Sequence, residues 1–196
     1  LAISGLLSTK MHGPPIYPPQ PGGIWRHVGR NAPKYIAATN EDRFRRGLYV
    51  VWRRGAPYVS FMNFDAPDRG ACVVRRPRTN TPLQALTLLN DEAYVEMAMA
   101  FAGRILTEAK GTPEVKISYA YKTALGRAPR AAETSYLKKL ILKRLTHFEK
   151  NPNEAANLIA NTKGWKMPKE MDKGELAAWF YIANILLNLD ETITKG

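Results

Sequence analysis

Chemistry based on cysteine, histidine or glycine-rich loops has little to work with in this 196-residue chain. Cysteine occurs once, at Cys72, which excludes an internal disulfide and any Cys-x-x-Cys metal or haem-attachment motif within it. A single thiol also leaves the compartment undetermined. Free cysteines mostly behave as small hydrophobes, so Cys72 is expected to be buried and inert despite its basic neighbours. The histidines His12, His27 and His147 are scattered, and none stands at metal spacing with another ligand. There is no Gly-rich phosphate loop, no His-Glu-x-x-His and no Gly-x-Ser-x-Gly, so no common catalytic signature is present. Residues 1–7 are apolar and read as the end of a helix, but they are too short for a membrane span and lack the basic flank of a signal peptide. The chain opens on Leu1 rather than Met, and it reads as a piece of a longer protein.

Acidic residues are also scarce. Asp and Glu total 17 against 29 Lys and Arg, giving a net charge of +12 and a pI near 9.9. Nucleic acid, an acidic polysaccharide or an anionic surface would each answer that charge. The aromatics fall at core spacing rather than in an exposed stacking row, which disfavours nucleic acid. Lysine is absent from residues 41–78, which hold nine arginines. Arginine without lysine favours planar, bidentate contact with carboxylate, sulfate or phosphate. That window contains only Glu41, Asp42, Asp65 and Asp68 as internal partners, too few for one-to-one pairing.

The arginine run ends in a helix start. Arg75, Arg76 and Arg78 precede Thr81, which suits the N-cap, and Pro82, which suits the first helical position. Gln84 stands three residues after Thr81 and completes a capping box. A helix N-terminus has free N–H donors and partial positive charge, so the block is a candidate anion site. Asn80 and Gln84 are the flanking polar candidates, although the capping box already accounts for Gln84. Asp65 and Asp68 are the best carboxylate pair. Two aspartates in one turn seldom flank a bond from opposite sides as glycoside hydrolysis requires. The favoured roles are therefore structural, with Asp65 capping the turn and Asp68 pairing with a nearby arginine.

The pattern predicts a mainly α-helical fold of about six to eight helices. An extended Pro/Gly-rich arm over residues 1–40 would be pinned by Ile16, Tyr17, Ile24 and Trp25, with the helical domain at 41–196. Phe44, Leu48, Val51 and Trp52 predict a short amphipathic helix over 41–54. Residues 58–64 suit a strand or a short helix, 65–70 a turn, and 71–74 a brief extended segment. Further helices are expected at 82–89, 92–109, from 113 to 125 with Gly126 as its stop, 129–149 and 153–161. In the 129–149 helix, Tyr136, Leu140 and Ile141 are expected to face inward and Lys138, Lys139, Lys143 and Arg144 outward. Trp165 would anchor the polar 162–173 loop, and a buried helix would run over 174–193.

Phe64-Asp65-Ala66-Pro67-Asp68-Arg69, Cys72 and the run from Arg75 through Asn90 closely resemble the planctomycete PSD-type domain known as domain of unknown function 1553. Residues 4–7 and 13–21 resemble that family's proline-rich lead-in. Arg45-Arg46-Gly47-Leu48-Tyr49, Trp52-Arg53-Arg54, Leu125-Gly126-Arg127 with Pro129, and Leu186 through Glu191 resemble its later blocks. The resemblance implies the C-terminal portion of an exported bacterial multidomain protein, periplasmic or at the cell surface. It implies companion domains upstream, often including a cytochrome-c-like haem domain. It transfers no reaction and no catalytic residue. No metal or cofactor is expected in this chain, and haem is expected only on an upstream domain.

The leading expectation is a non-catalytic binding or assembly module whose partners are upstream domains of the same polypeptide and an acidic or sulfated glycan. A second reading makes it part of a polysaccharide hydrolase, with Asp65 or Asp68 completed by upstream residues. A third makes it a docking partner for the haem domain.

Overall fold

The computed structural model describes residues 1–27 and 34–194. The His27 side chain, like residues 28–33 of the arm, lies outside what is described. Eight α-helices occur among the described residues: α1 (Val59–Asn63), α2 (Pro82–Asn90), α3 (Glu92–Glu108), α4 (Pro113–Leu125), α5 (Ala131–Lys150), α6 (Pro152–Ala160), α7 (Lys173–Leu187) and α8 (Asp190–Thr194). No strand forms among them, and the fold is mainly α.

The core is built around α7, which packs against α3, α4, α5 and α6. Its Leu176, Trp179, Ile182 and Leu186 are buried, and Ala177, Ala178 and Ala183 let neighbouring helices approach closely. Helix α3 answers with Met99, Phe101 and Ile105, all fully buried. Each such side chain contributes about 1.5–3 kcal/mol through the apolar area it removes from water. Sequence-local signals set the helix ends. The Asp91 side chain accepts from Ala93 N at 2.9 Å to cap α3, and Gly126 closes α4 in the left-handed region at φ 74°. In α5 the inward face carries Leu137, Ile141 and Phe148, whereas Tyr136, expected inside, is exposed. Ile141 is buried and Leu140 half-buried against the core as expected, and only Tyr136 departs, its place inside taken by Leu137. Arg144, expected to face solvent, lays its guanidinium on the Tyr181 ring at 3.9 Å.

Three other segments depart from expectation. Residues 41–54 form no α-helix. Short 3₁₀ turns at Glu41–Phe44 and Gly47–Tyr49 are separated by extended Arg45, and Ser8 and Ile16 of the arm make parallel bridges to Arg45 and Val50. Pairing with the arm replaces the helical ladder, and Leu48 of the expected inner face is exposed. Residues 1–7 form a turn rather than a helix end, closed by Leu6 N donating to Leu1 O at 3.2 Å. The last helix is broken at Asn188, so α8 is separate from α7.

A buried ion pair locks the arginine-rich segment to the helical core. Arg43 Nη2 lies 2.7 Å from Glu96 Oε2, with their side chains only 5% and 1% exposed. Glu96 Oε1 accepts from Gly164 N and, at 2.5 Å, from Trp165 N. The Trp165 ring in turn covers Gly103, where a Cβ would fall 2.5 Å from Cζ2. Trp165 thus anchors its loop, as the sequence suggests.

Candidate anion-binding site

The foot of the arginine loop is fixed by hydrogen bonds. The capping box of α2 is complete. Gln84 N donates to Thr81 Oγ1 at 3.3 Å, and Thr81 N donates to Gln84 Oε1 at 2.9 Å. Gln84 is buried, and its Nε2 also donates to Asn63 O at 2.8 Å and Thr79 Oγ1 at 2.9 Å. Its amide is therefore occupied in holding α1, the loop and α2 together, and Gln84 also lines the hollow above the loop's foot. Asp65 has a positive φ of 56°, a conformation that aspartate tolerates better than most residues. Its carboxylate accepts from Thr79 N at 2.8 Å and from the Thr79 hydroxyl.

With that foot fixed, residues 71–78 lie exposed. Arg75, Arg76 and Arg78 line a hollow of about 410 Å³ together with Phe64, Asp65 and Thr194. Among the described residues, none of these three guanidinium groups has an ion pair, a hydrogen bond or an aromatic partner. Among the described residues Asp68 has no arginine partner of the kind expected, and its Oδ1 accepts from Gly70 N at 2.9 Å across a turn. Asp65 is likewise committed to Thr79 and not to an arginine. Asn80 turns away from the hollow and donates to Asp190 Oδ1 at 2.7 Å, joining the loop to α8. Cys72 is exposed, contrary to the expectation of a buried thiol, because the chain from 71 to 78 has nothing packed over it.

The other arginines of the 41–78 window divide differently. Arg43 and Arg45 are buried. Arg45 lies 3.9 Å above the Tyr49 ring and donates to His12 O in the arm. Arg53 and Arg69 sit over Trp25 and Trp52, at 4.7 Å and 4.6 Å. Arginine's flat, weakly hydrated head suits all these roles.

A second hollow, of about 760 Å³, adjoins the first, and the two share Phe64 and Arg76. Trp52, Phe61 and Tyr94 form part of its wall, and among the described residues no Asp or Glu lines it. Trp52 stacks on Phe61 at 5.9 Å between ring centroids. Burial raises the Tyr58 and Tyr94 phenols above the ordinary value of 10, so both are neutral at physiological pH. The wall draws on residues from the arm to α3, and no local motif announces it.

Among the described residues no cluster of three His, Cys, Asp or Glu side chains could hold a metal. His147 shares a 2.8 Å hydrogen bond with Glu154, and His12 is exposed. Among the described residues no helix is long and apolar enough to cross a membrane. No match to the chain was found among curated proteins or among solved structures. The model of one family does match, over residues 1–141, a span that holds both hollows' walls apart from the two α8 residues and stops short of Leu186 to Glu191. By that match the chain belongs to PSD1, the protein family of unknown function DUF1553.

Proposed function

We propose that this chain is a non-catalytic binding and assembly module of an exported multidomain bacterial protein, and that its arginine loop takes an oxyanion. The observation that carries the reading is that Arg75, Arg76 and Arg78 have no partner among the described residues and stand beside a hollow they share. Guanidinium groups that serve the fold are paired or stacked, as Arg43, Arg45 and Arg69 are. A carboxylate, sulfate or phosphate would receive bidentate, charge-assisted hydrogen bonds from such a group. An acidic or sulfated glycan displays these ions at the surface where an exported protein works. The helix end adds little, because Pro82 has no N–H and the capping box takes the N–H groups of Thr81 and Gln84.

Geometry favours binding over hydrolysis. Asp65 is the only carboxylate lining the hollow among the described residues, and Thr79 holds it. Docking to a haem domain of the same polypeptide rests on the family resemblance alone.

The test is calorimetric titration of dextran sulfate into the folded protein and into a variant with Arg75, Arg76 and Arg78 all changed to Gln. The variant should bind about tenfold or more weakly. Equal binding by the two proteins would sink the proposal.

A further inference from the structure

The second hollow bears on what the anion is attached to. Its wall is aromatic, and it opens beside Arg76 and Arg69. Four arginines line it, while its side-chain oxygens among the described residues are the hydroxyls of Tyr58, Ser60 and Tyr94. Trp52 Nε1 and Arg45 Nε are buried and have no hydrogen-bond partner among the described residues, and the Arg45 side chain is only 1% exposed. No carboxylate or amide side chain lines this hollow among the described residues. A sugar ring brings hydroxyl donors as well as acceptors, and its donors would find few side-chain acceptors here. A planar hydrocarbon ring brings no donors, fits the aromatic wall, and places an attached oxyanion where donors are in excess.

We propose that the two hollows form one site for an amphiphilic anion, an aromatic body bearing a sulfonate, sulfate or carboxylate head. The body lies against Trp52, Phe61 and Phe64, and the head meets Arg76 at the seam between the hollows. The inference rests on the arginine-loop reading for the charged head and adds the chemistry of the body. Cation–π contact is already in use at this wall, where Arg69 covers Trp52, so a ring entering beside Phe61 extends an existing stack.

Three probes separate the parts. Naphthalene-2-sulfonate carries head and ring, glucose 6-sulfate carries the head on a sugar, and 2-naphthol carries the ring with no charge at neutral pH. Calorimetry should give naphthalene-2-sulfonate about tenfold or more tighter binding than either of the others. Leu48 lines the hollow and is 75% exposed, so Leu48→Glu should leave the fold intact while placing a carboxylate at the wall. That variant should lose naphthalene-2-sulfonate about tenfold and keep dextran sulfate. If glucose 6-sulfate binds as tightly as the naphthalene probe, or if Leu48→Glu has no effect on the latter, the aromatic body is wrong while the arginine loop stands. If the triple arginine variant binds every anion as the wild type does, the arginine-loop reading fails first.

Discussion

Gly164 shows how much one missing side chain decides. A Cβ there would fall 2.7 Å from Glu96 Oε1 and 2.8 Å from Arg43 Nε, both belonging to a buried ion pair that cannot swing aside. Alanine must push the loop outward and weaken the bonds from Gly164 N and Trp165 N to Glu96. Gly164→Ala is therefore expected to cost about 1–3 kcal/mol, read as a lower urea midpoint with an unchanged slope. A midpoint equal to wild type would mean that the loop is not held by this latch. Sequence inspection gives no warning of Gly164, because its neighbours come from residues 43 and 96. Cys72 fails for the related reason that the general tendency of free cysteines to be buried does not supply a covering element in space.

At the scale of the element, α2 is the part most legible in the sequence. Thr81, Pro82 and Gln84 sit within one turn, so cap, first helical residue and box follow from spacing alone. What spacing cannot show is that Gln84 also reaches Asn63 O and Thr79 Oγ1. Thr81→Ala removes one cap acceptor and should cost about 1 kcal/mol. Gln84→Ala removes hydrogen bonds to three half-buried partners, Thr81 N, Asn63 O and Thr79 Oγ1, and should cost about 2 kcal/mol by the same denaturation measurement. The reverse ranking would reduce Gln84 to an ordinary cap residue. The 41–54 segment misleads because Phe44, Leu48, Val51 and Trp52 mimic a helical face, while the actual partner is an arm more than thirty residues earlier. The break between α7 and α8 is hidden by an almost continuous apolar run. With it the sequence reading misses Ile193 and Thr194, which close one side of the first hollow.

Across the whole molecule, α5 and α8 are joined through one guanidinium. Arg127 lies 2.8 Å from Glu133 and 2.7 Å from Glu191. Hydrogen bonds from Arg127 hold Glu133 down to about 2 from its ordinary 4.5, and they also lower Glu191. A carboxyl held below its unfolded value stabilises the fold above about pH 4.5 and loses that contribution as pH falls through about 2. Solvent screening keeps the effect small at this exposed site. The urea midpoints of wild type and Arg127→Gln should therefore differ most above about pH 4.5 and converge towards about pH 2. A gap independent of pH would refute the linkage. The bundle itself is readable from periodicity, because helical faces are local. The hollows are not, because their walls gather residues from the arm, the arginine segment, α3 and α8. The unpaired arginine loop also has a kinetic consequence. Three positive charges that have no ion pair among the described residues project a field over about a Debye length, roughly 8 Å at physiological salt. An approaching anion is drawn to this face before it touches it, so added salt slows its capture more than it speeds its escape.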